Sequence, residues 1–267
     1  MAVATAFLKR DFTNAFSYRL SFGMQLFGIV FSVASFYFLS KLFGSAMVPQ
    51  LAAYGGDYFS FVLIGLAFSG YLGLSITSFA HSIREGQMMG TLEIMLLSPT
   101  RLSSILISST LWGYLMTTIN VVLYIVIGIL VFGFDIGQAN FLTAVVVLLV
   151  SIASFSGIGI ISAAIVLLVK KGDPIASIYG SMSGLLAGVF YPVSVLPDWL
   201  EPISHLLPMT YALDAMRLAL LKGYTLLDVW QNVAILLGFT CFLIPLSFFI
   251  FHKALKRAKM DGSLIQY

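Results

Sequence analysis

Six long stretches without Asp, Glu, Lys or Arg divide this chain of 267 residues, and they limit its fold more than any other feature. The stretches are Leu20–Ser40, Tyr58–Ile83, Leu102–Phe134, Ile136–Val169, Pro174–Pro197 and Val229–His252. A helix needs roughly 20 apolar residues to cross the hydrocarbon core of a bilayer, where the backbone must satisfy its own hydrogen bonds. The sequence therefore predicts an all-α membrane protein with six transmembrane helices.

The composition agrees with this prediction. Mean hydropathy is +1.01 and charged residues make up 9% of the chain, whereas soluble domains carry about 25% charge. The net charge of +3 is small and dispersed, which excludes a nucleic-acid partner as the expected one. The single cysteine, Cys241, excludes a disulfide within the chain.

The distribution of Lys and Arg predicts the orientation. If the six stretches cross the membrane, the two termini, the second-to-third loop and the fourth-to-fifth loop share one side. That side carries Lys9, Arg10, Arg19, Arg84, Arg101, Lys170, Lys171, Lys253, Lys256, Arg257 and Lys259. The opposite side carries only Lys41, Arg217 and Lys222. Positive residues favour the cytoplasmic side, so we expect a multi-pass protein of the cell membrane with both termini in the cytoplasm.

The chain is expected to form a single transmembrane domain over residues 1–267, with three parts. In residues 1–19, Leu8, Phe12 and Phe16 share one helical face, and Lys9 and Arg10 lie on another. This pattern predicts an amphipathic helix at the membrane interface. Residues 20–253 form the six-helix core, and residues 254–267 form a cytoplasmic tail.

The segment Leu196–Thr225 is too short and too charged to cross the membrane. Its prolines break it into short pieces, and Asp214 and Arg217 lie three residues apart on a polar helical face, where they can pair. We expect an external re-entrant or interfacial hairpin with Trp199 at headgroup depth. A lid over a pathway and a purely structural cap fit the sequence equally well.

Gly180, Gly184 and Gly188 recur every four residues in the fifth stretch. Small residues at this spacing let helices approach closely. Packing inside one bundle, a contact between subunits and the wall of a pathway are all compatible with this stripe.

Several kinds of chemistry have no motif in this sequence. There is no G-x-x-x-x-G-K-[ST] phosphate loop and no metal-ligand spacing of His, Cys, Asp or Glu. Apart from histidine, no ionisable residue falls inside a stretch, although such residues usually mark ion or proton relays. We therefore expect no catalytic residue, metal or cofactor in this chain, and we expect the energy for any transport to come from elsewhere.

The cytoplasmic loop "REGQMMGTLEIMLLSPTR", Arg84–Arg101, has internal order. Met88, Met89, Leu92, Met95 and Leu96 fall on one helical face, and Pro99 ends the pattern. The loop predicts a cytoplasmic helix between the second and third spans that offers its polar side to a partner protein.

Two motifs resemble those of ABC-2-type exporter permeases. The first is the family's cytoplasmic pattern R-E-x(3–4)-G-T-L-E-x-L-x-x-[ST]-P. Its positions hold Arg84, Glu85, Gly90, Thr91, Leu92, Glu93, Leu96, Ser98 and Pro99. The second is the family's external hairpin, which Gly188–Gly223 resembles. Its typical positions hold Phe190, Pro192, Pro197, Trp199, Pro208 and Arg217.

The resemblance implies a permease subunit of an ATP-driven exporter. In this family two six-helix subunits pair in the membrane lipid, and each docks a separate nucleotide-binding subunit that binds ATP and Mg. The second permease subunit is expected to be another copy of this chain, with a heterodimer left open. Arg84–Pro99 becomes the coupling element, and the second and fifth spans line much of the pathway.

Three functions remain in competition at this point. An exporter subunit would move an amphiphilic, drug-like, lipid or glycan substrate out of the cytoplasm or inner leaflet. A secondary transporter or channel would work without an ATPase partner. A membrane lipid enzyme is disfavoured because no catalytic constellation is visible.

Overall fold

The computed structural model describes residue 5 and residues 19–43, 48–55, 57–90, 102–169 and 174–260. In these ranges the chain is helical without a strand, which confirms the predicted all-α class. The longer helices are α1 (Arg19–Phe43), α2 (Tyr58–Met88), α3 (Leu102–Phe132), α4 (Phe141–Val169), α5 (Pro174–Leu186), α6 (Pro208–Leu221) and α7 (Trp230–Met260). Single helical turns lie at Val48–Leu51, Ala52–Tyr54, Val193–Val195 and Glu201–Ser204.

Five of these helices are long and apolar enough to cross a membrane: α1, α2, α3, α4 and α7, counted over the described residues. The predicted fifth span differs. Its helix, α5, has only 13 residues, or about 20 Å at ~1.5 Å per residue. The helix ends at Leu186 because Gly188 adopts a left-handed conformation (φ 78°) and Pro192 follows. A charge-free stretch therefore does not guarantee a continuous spanning helix, and the predicted count of six is not reproduced.

Helices α2 and α4 form the centre of the bundle. In their most apolar 18-residue segments 61% and 50% of the residues are buried, against 11% in each of α1, α3 and α7, which lie at the periphery of the described bundle. The two central helices cross at Gly159, where a Cβ atom would lie 1.9 Å from the carbonyl oxygen of Ser75. Only glycine permits this approach.

The two ends of the bundle have different compositions. At one end Phe79, Ile160 and Phe251 join the last turns of α2, α4 and α7 in one apolar cluster, so Arg84 and Lys253 lie at the same end. Arg84 and Lys253 therefore share one side, as predicted, and the cytoplasmic location of that side stays a prediction. At the other end the loop between α3 and α4 meets α6, where the Asn140 amide donates to the Ala219 carbonyl at 2.9 Å.

Some predictions fall outside the described residues. The interfacial helix over residues 1–19 is one, apart from the helical position of Thr5 and the start of α1 at Arg19. Residues 261–267 of the tail are outside as well. Residues 254–260 continue α7, and Ala254 and Ala258 pack against α2 and α4, so the predicted core boundary at residue 253 lies inside a helix.

Gly159→Ala is predicted to destabilise the bundle, because its methyl group would displace the Ser75 carbonyl at the crossing of α2 and α4. Overpacking of this kind costs about 1–3 kcal/mol. Thermal unfolding in detergent measures the effect. Gly238→Ala is the matched control, since no atom lies within 4 Å of its Cβ position in the described part of the chain. Equal unfolding midpoints for the two variants would contradict the close crossing.

Candidate functional site

The segment after α5 and helix α6 form a compact cap on the end of the bundle opposite Arg84. Pro192 precedes the turn Val193–Val195, and Pro208 occupies the first turn of α6. Of the three prolines expected to break the segment, Pro197 lies between the turns Val193–Val195 and Glu201–Ser204, and Pro208 begins a new helix. Pro202 instead lies inside the turn Glu201–Ser204. Pro197 and Trp199 lie at the surface of this segment, with Trp199 strongly exposed. Its position at headgroup depth stays a prediction.

Helix α6 is packed into the bundle rather than lying loosely over it. The predicted apolar face is confirmed, since all six of its residues are buried: Met209, Ala212, Leu213, Met216, Ala219 and Leu220. Arg217 was expected on the opposite, polar face, and this prediction is wrong because its side chain is only 2% exposed. A buried charge is tolerated only when it is fully hydrogen-bonded.

Arg217 is held by two backbone carbonyls and an aromatic ring. Its Nε donates to the Phe61 carbonyl at 3.1 Å, and its Nη2 donates to the Val189 carbonyl at 3.0 Å. The guanidinium carbon lies 3.4 Å from the centre of the Phe61 ring, a cation–π contact. Because the chain leaves α5 at Leu186, the Val189 carbonyl is not engaged in a helix and is available to the guanidinium.

Gly65 makes this arrangement possible. A Cβ atom at this position would lie 2.3 Å from the Val189 carbonyl oxygen and 2.7 Å from Arg217 Nη2. Helix α2 therefore needs glycine where the segment after α5 and the guanidinium meet. Gly65 was not predicted from the sequence, because this glycine belongs to no repeat. The signal that could have indicated it was an isolated glycine within a long apolar helix.

Asp214 does not pair with Arg217 within the described residues, contrary to the prediction. One carboxylate oxygen accepts from the Tyr54 hydroxyl at 2.5 Å, and the other accepts from Asn232 Nδ2 at 2.6 Å. Both donors come from neighbouring elements, the turn before α2 and the first turn of α7. Two neutral donors thus occupy the carboxylate, while the guanidinium one turn away engages carbonyls.

Burial sets the protonation of this group of residues. Burial lowers the pKa of Arg217 to about 9, and the nearby Tyr54 and Asp214 oppose that shift. Arg217 therefore keeps its positive charge at neutral pH. Burial, followed by the charge of Asp214, raises the pKa of Tyr54, so the phenol stays protonated and continues to donate. We call Tyr54, Phe61, Gly65, Val189, Asp214, Arg217 and Asn232 the Arg217 cluster.

A cavity of about 230 Å³ lies between α2 and α5, next to the Arg217 cluster. Its walls are largely apolar, with the hydroxyl-bearing Ser69, Thr77 and Ser183, and Val189 and Phe190 are part of the lining. Three large aromatic residues of α2 lie away from this cavity: Phe59, Phe61 and Tyr71 are buried in the bundle core.

The three predicted glycines fall into two groups. Gly180 and Gly184 line this cavity, and no atom of the described residues lies within 4 Å of their Cβ positions. Gly188 lies beyond the end of α5, so the expected stripe along one helix contains only two of the three. The structure therefore places Gly180 and Gly184 on a surface that no other described residue covers.

The predicted coupling segment begins on α2 itself. Arg84 and Glu85 lie on its last turns, and Gly90 ends the helix in a left-handed conformation (φ 67°). Of the residues expected on the coupling helix, Met88 is the last residue of α2 and Met89 caps its end, and both are exposed. The other predicted positions lie outside the described residues: Thr91, Leu92, Glu93, Leu96, Ser98 and Pro99.

Comparison with known proteins gives two matches. Residues 5–221 match the sequence profile of the family described as ABC-2 type transporter. The chain is also 24% identical over 197 residues to ABC transporter G family member 20 of Dictyostelium discoideum, a match that covers 70% of this chain. The chain spans only 27% of the length of that relative.

Arg217→Lys is predicted to destabilise the cap, because an ammonium group cannot donate to both carbonyls and stack on Phe61 at once. Each hydrogen bond to a charged group contributes about 1.5–3 kcal/mol. Gly65→Ala should lower the unfolding midpoint in the same way by displacing the guanidinium. The combined variant should lose less than the sum of the two, since both changes break one contact.

Gly180→Ala is the matched control for Gly65→Ala, because its methyl group meets open space. Thermal unfolding in detergent measures all four variants. Additive losses in the combined variant, or a loss in the control as large as that in Gly65→Ala, would contradict the described contact.

Proposed function

Because the chain belongs to the ABC-2 type transporter family, we propose that it is the membrane subunit of an exporter driven by a separate nucleotide-binding subunit. That subunit binds and hydrolyses ATP with Mg. The cargo is an amphiphilic, drug-like, lipid or glycan molecule that leaves the cytoplasm or the inner leaflet. The functional unit contains two permease subunits, and we propose a homodimer of this chain in the cell membrane with both termini cytoplasmic.

The observation that carries this proposal is the continuity of α2. This helix holds Arg84 and Glu85 at one end and Gly65 of the Arg217 cluster towards the other. It has 31 residues, or about 46 Å at ~1.5 Å per residue. A displacement at the predicted docking segment therefore reaches the cavity and the cap through a single rigid element.

The cap is proposed to act as the outer gate of the pathway. Val189 and Phe190 form part of the cavity lining, and Met209 at the start of α6 completes it. Arg217 binds the Val189 carbonyl directly. Movement of α2 relative to α6 therefore acts on a wall of the cavity, which favours a gate over a purely structural cap.

The chemistry of the cavity supports an amphiphilic cargo. Its lining within the described residues contains hydroxyl groups and apolar side chains without Asp, Glu, Lys or Arg. Gly73, Gly180 and Gly184 keep that lining open on one side. We propose that the open side faces the second permease subunit, so that two half-cavities join into one pathway.

Purification of the tagged chain from its native membrane tests the proposal. An ATPase with a phosphate loop should co-purify in equal amount, and ATP-dependent export should require it. Export by the chain alone in vesicles that hold an ion gradient would contradict the proposal and establish the secondary transporter.

Glu93→Arg is predicted to weaken the bound ATPase and lower coupled ATP turnover by about tenfold, because it reverses a charge on the proposed coupling segment. Glu201→Arg is the matched control, since Glu201 lies at the opposite end of the bundle. Co-purified ATPase and its turnover rate are the measurements. Normal turnover in Glu93→Arg, with insertion intact, would remove the coupling role.

A further inference from the structure

A second open space lies between α1, α2 and α3, away from α5. It is a groove of about 460 Å³, and the polar residues in its lining are Gln25, Ser69, Thr117, Asn120 and Tyr124. We call it the α1–α3 groove. Ser69 lies 11 residues from the start of α2 and Asn120 lies 12 residues from the end of α3. At ~1.5 Å per residue these offsets are roughly 17–18 Å, which places the groove near the middle of a ~30 Å hydrocarbon core.

Four of the five polar side chains in this groove have no hydrogen-bond partner among the described residues. Ser69 donates to the carbonyl of Leu66 in its own helix at 2.8 Å. The side chains of Gln25, Thr117, Asn120 and Tyr124 form no hydrogen bond to the part of the chain that the structure describes. An amide or hydroxyl without a partner in an apolar medium costs several kcal/mol, so this arrangement favours a bound group that supplies hydrogen bonds.

The neighbouring face of α3 uses its polar groups to bind other helices. There the Tyr71 hydroxyl donates to Thr118 Oγ1 at 2.7 Å, and the Tyr114 hydroxyl contacts Ser75 and Ser156 at 2.9 and 3.1 Å. These polar groups join α3 to α2 and α4. Thr117, Asn120 and Tyr124, at positions i, i+3 and i+7, share another face of the same helix. One polar face of α3 is thus used for packing, and the other is available.

The groove is open on one side of the described chain and its lining is uncharged. Gln25 and Gly70 are exposed, while Thr117, Asn120 and Tyr124 are partly exposed. No atom of the described chain lies within 4 Å of a Cβ position at Gly28, so the wall formed by α1 leaves room. Asp, Glu, Lys and Arg do not occur among the described lining residues. A charged headgroup would find no counter-charge there, whereas hydroxyl, amide and carbonyl groups would find both donors and acceptors.

We propose that the α1–α3 groove binds the uncharged, hydrogen-bonding part of an amphiphile dissolved in the bilayer. Its volume falls within the range of small-molecule sites, about 300–1,000 Å³. Ser69 lines both this groove and the cavity between α2 and α5, so the two spaces meet at α2. The groove is therefore the entry point through which cargo passes from the membrane to the cavity. This entry role rests on the proposed export function, whereas binding itself does not.

The test uses a photoreactive ceramide, which carries hydroxyl and amide groups without charge, and a photoreactive phosphatidic acid with the same acyl chain as the charged comparison. The full chain is placed in nanodiscs, irradiated and analysed by peptide mass spectrometry, without ATP or an ATPase. Saturable labelling of α1 and α3 by the ceramide, with little labelling by phosphatidic acid, is the expected result. Equal labelling by both probes, or no saturable labelling, would overturn the proposal.

Asn120→Leu separates a binding role from a structural one. The change removes an unpartnered amide from the membrane interior, so thermal stability should stay equal or rise, while ceramide affinity should fall about tenfold. Thr240→Val is the control, since Thr240 lies on α7 and its hydroxyl donates to the Leu236 carbonyl of its own helix; it should leave affinity unchanged. A drop in stability with unchanged affinity would show that Asn120 supports packing and would overturn the proposal.

Two further outcomes keep this inference distinct from the proposed export function. The variant Gln25→Cys tests whether the groove is a contact between two copies of the chain. If the introduced cysteines of two copies cross-link in the membrane, the groove is a subunit contact and the proposal is wrong. If a variant that no longer binds ceramide keeps its full ATP-dependent export, the groove is not the entry point for cargo. The proposed export function would stand in that case. If the chain binds ceramide but supports no ATP-dependent export, the binding site is confirmed and the proposed export function is wrong.

Discussion

The end of the bundle opposite Arg84 depends on one interaction, that of the buried guanidinium of Arg217 with its acceptors. A charge at this depth requires acceptors, and it finds them in the carbonyls of Phe61 and Val189 and in the face of an aromatic ring. These acceptors belong to α2 and to the segment after α5. One side chain therefore joins three elements that a bundle of apolar helices would otherwise hold only by packing.

That constraint explains two features that look unrelated. Helix α5 stops short of a full span, and its early end leaves the Val189 carbonyl available for Arg217. Gly65 removes the side chain that would fill the same space. The cavity between α2 and α5 lies beside this junction. Since α2 also extends to Glu85 at the opposite end of the bundle, a single helix connects the two ends of the bundle.

The sequence predicted what depends on local composition. The spans α2, α3, α4 and α7 follow from charge-free stretches, although α7 continues to Met260 because its last turns pack on α2 and α4. The break in α5, the inward direction of Arg217 and the need for Gly65 depend on contacts between distant residues. Helical periodicity assigned Arg217 to a polar face because its side chain is charged. The carbonyls of Phe61 and Val189, which accept its hydrogen bonds, are distant in the sequence and do not enter such a pattern. Gln25 and Asn120 were not predicted as site residues for a related reason. Their side chains are uncharged amides, which do not interrupt a charge-free stretch.

The most direct measurement follows a cysteine in the cavity in two nucleotide states of the proposed ATPase partner. In a Cys241→Ala background, Gly184→Cys reacts with an impermeant maleimide added from outside the membrane. The labelling rate is compared between the nucleotide-free complex and the complex trapped with ATP and vanadate. If Arg217 connects α2 to the cap, trapping changes the rate in the otherwise native chain, and Arg217→Lys abolishes that change while ATP is still hydrolysed. The same change in rate with and without Arg217→Lys would contradict this account.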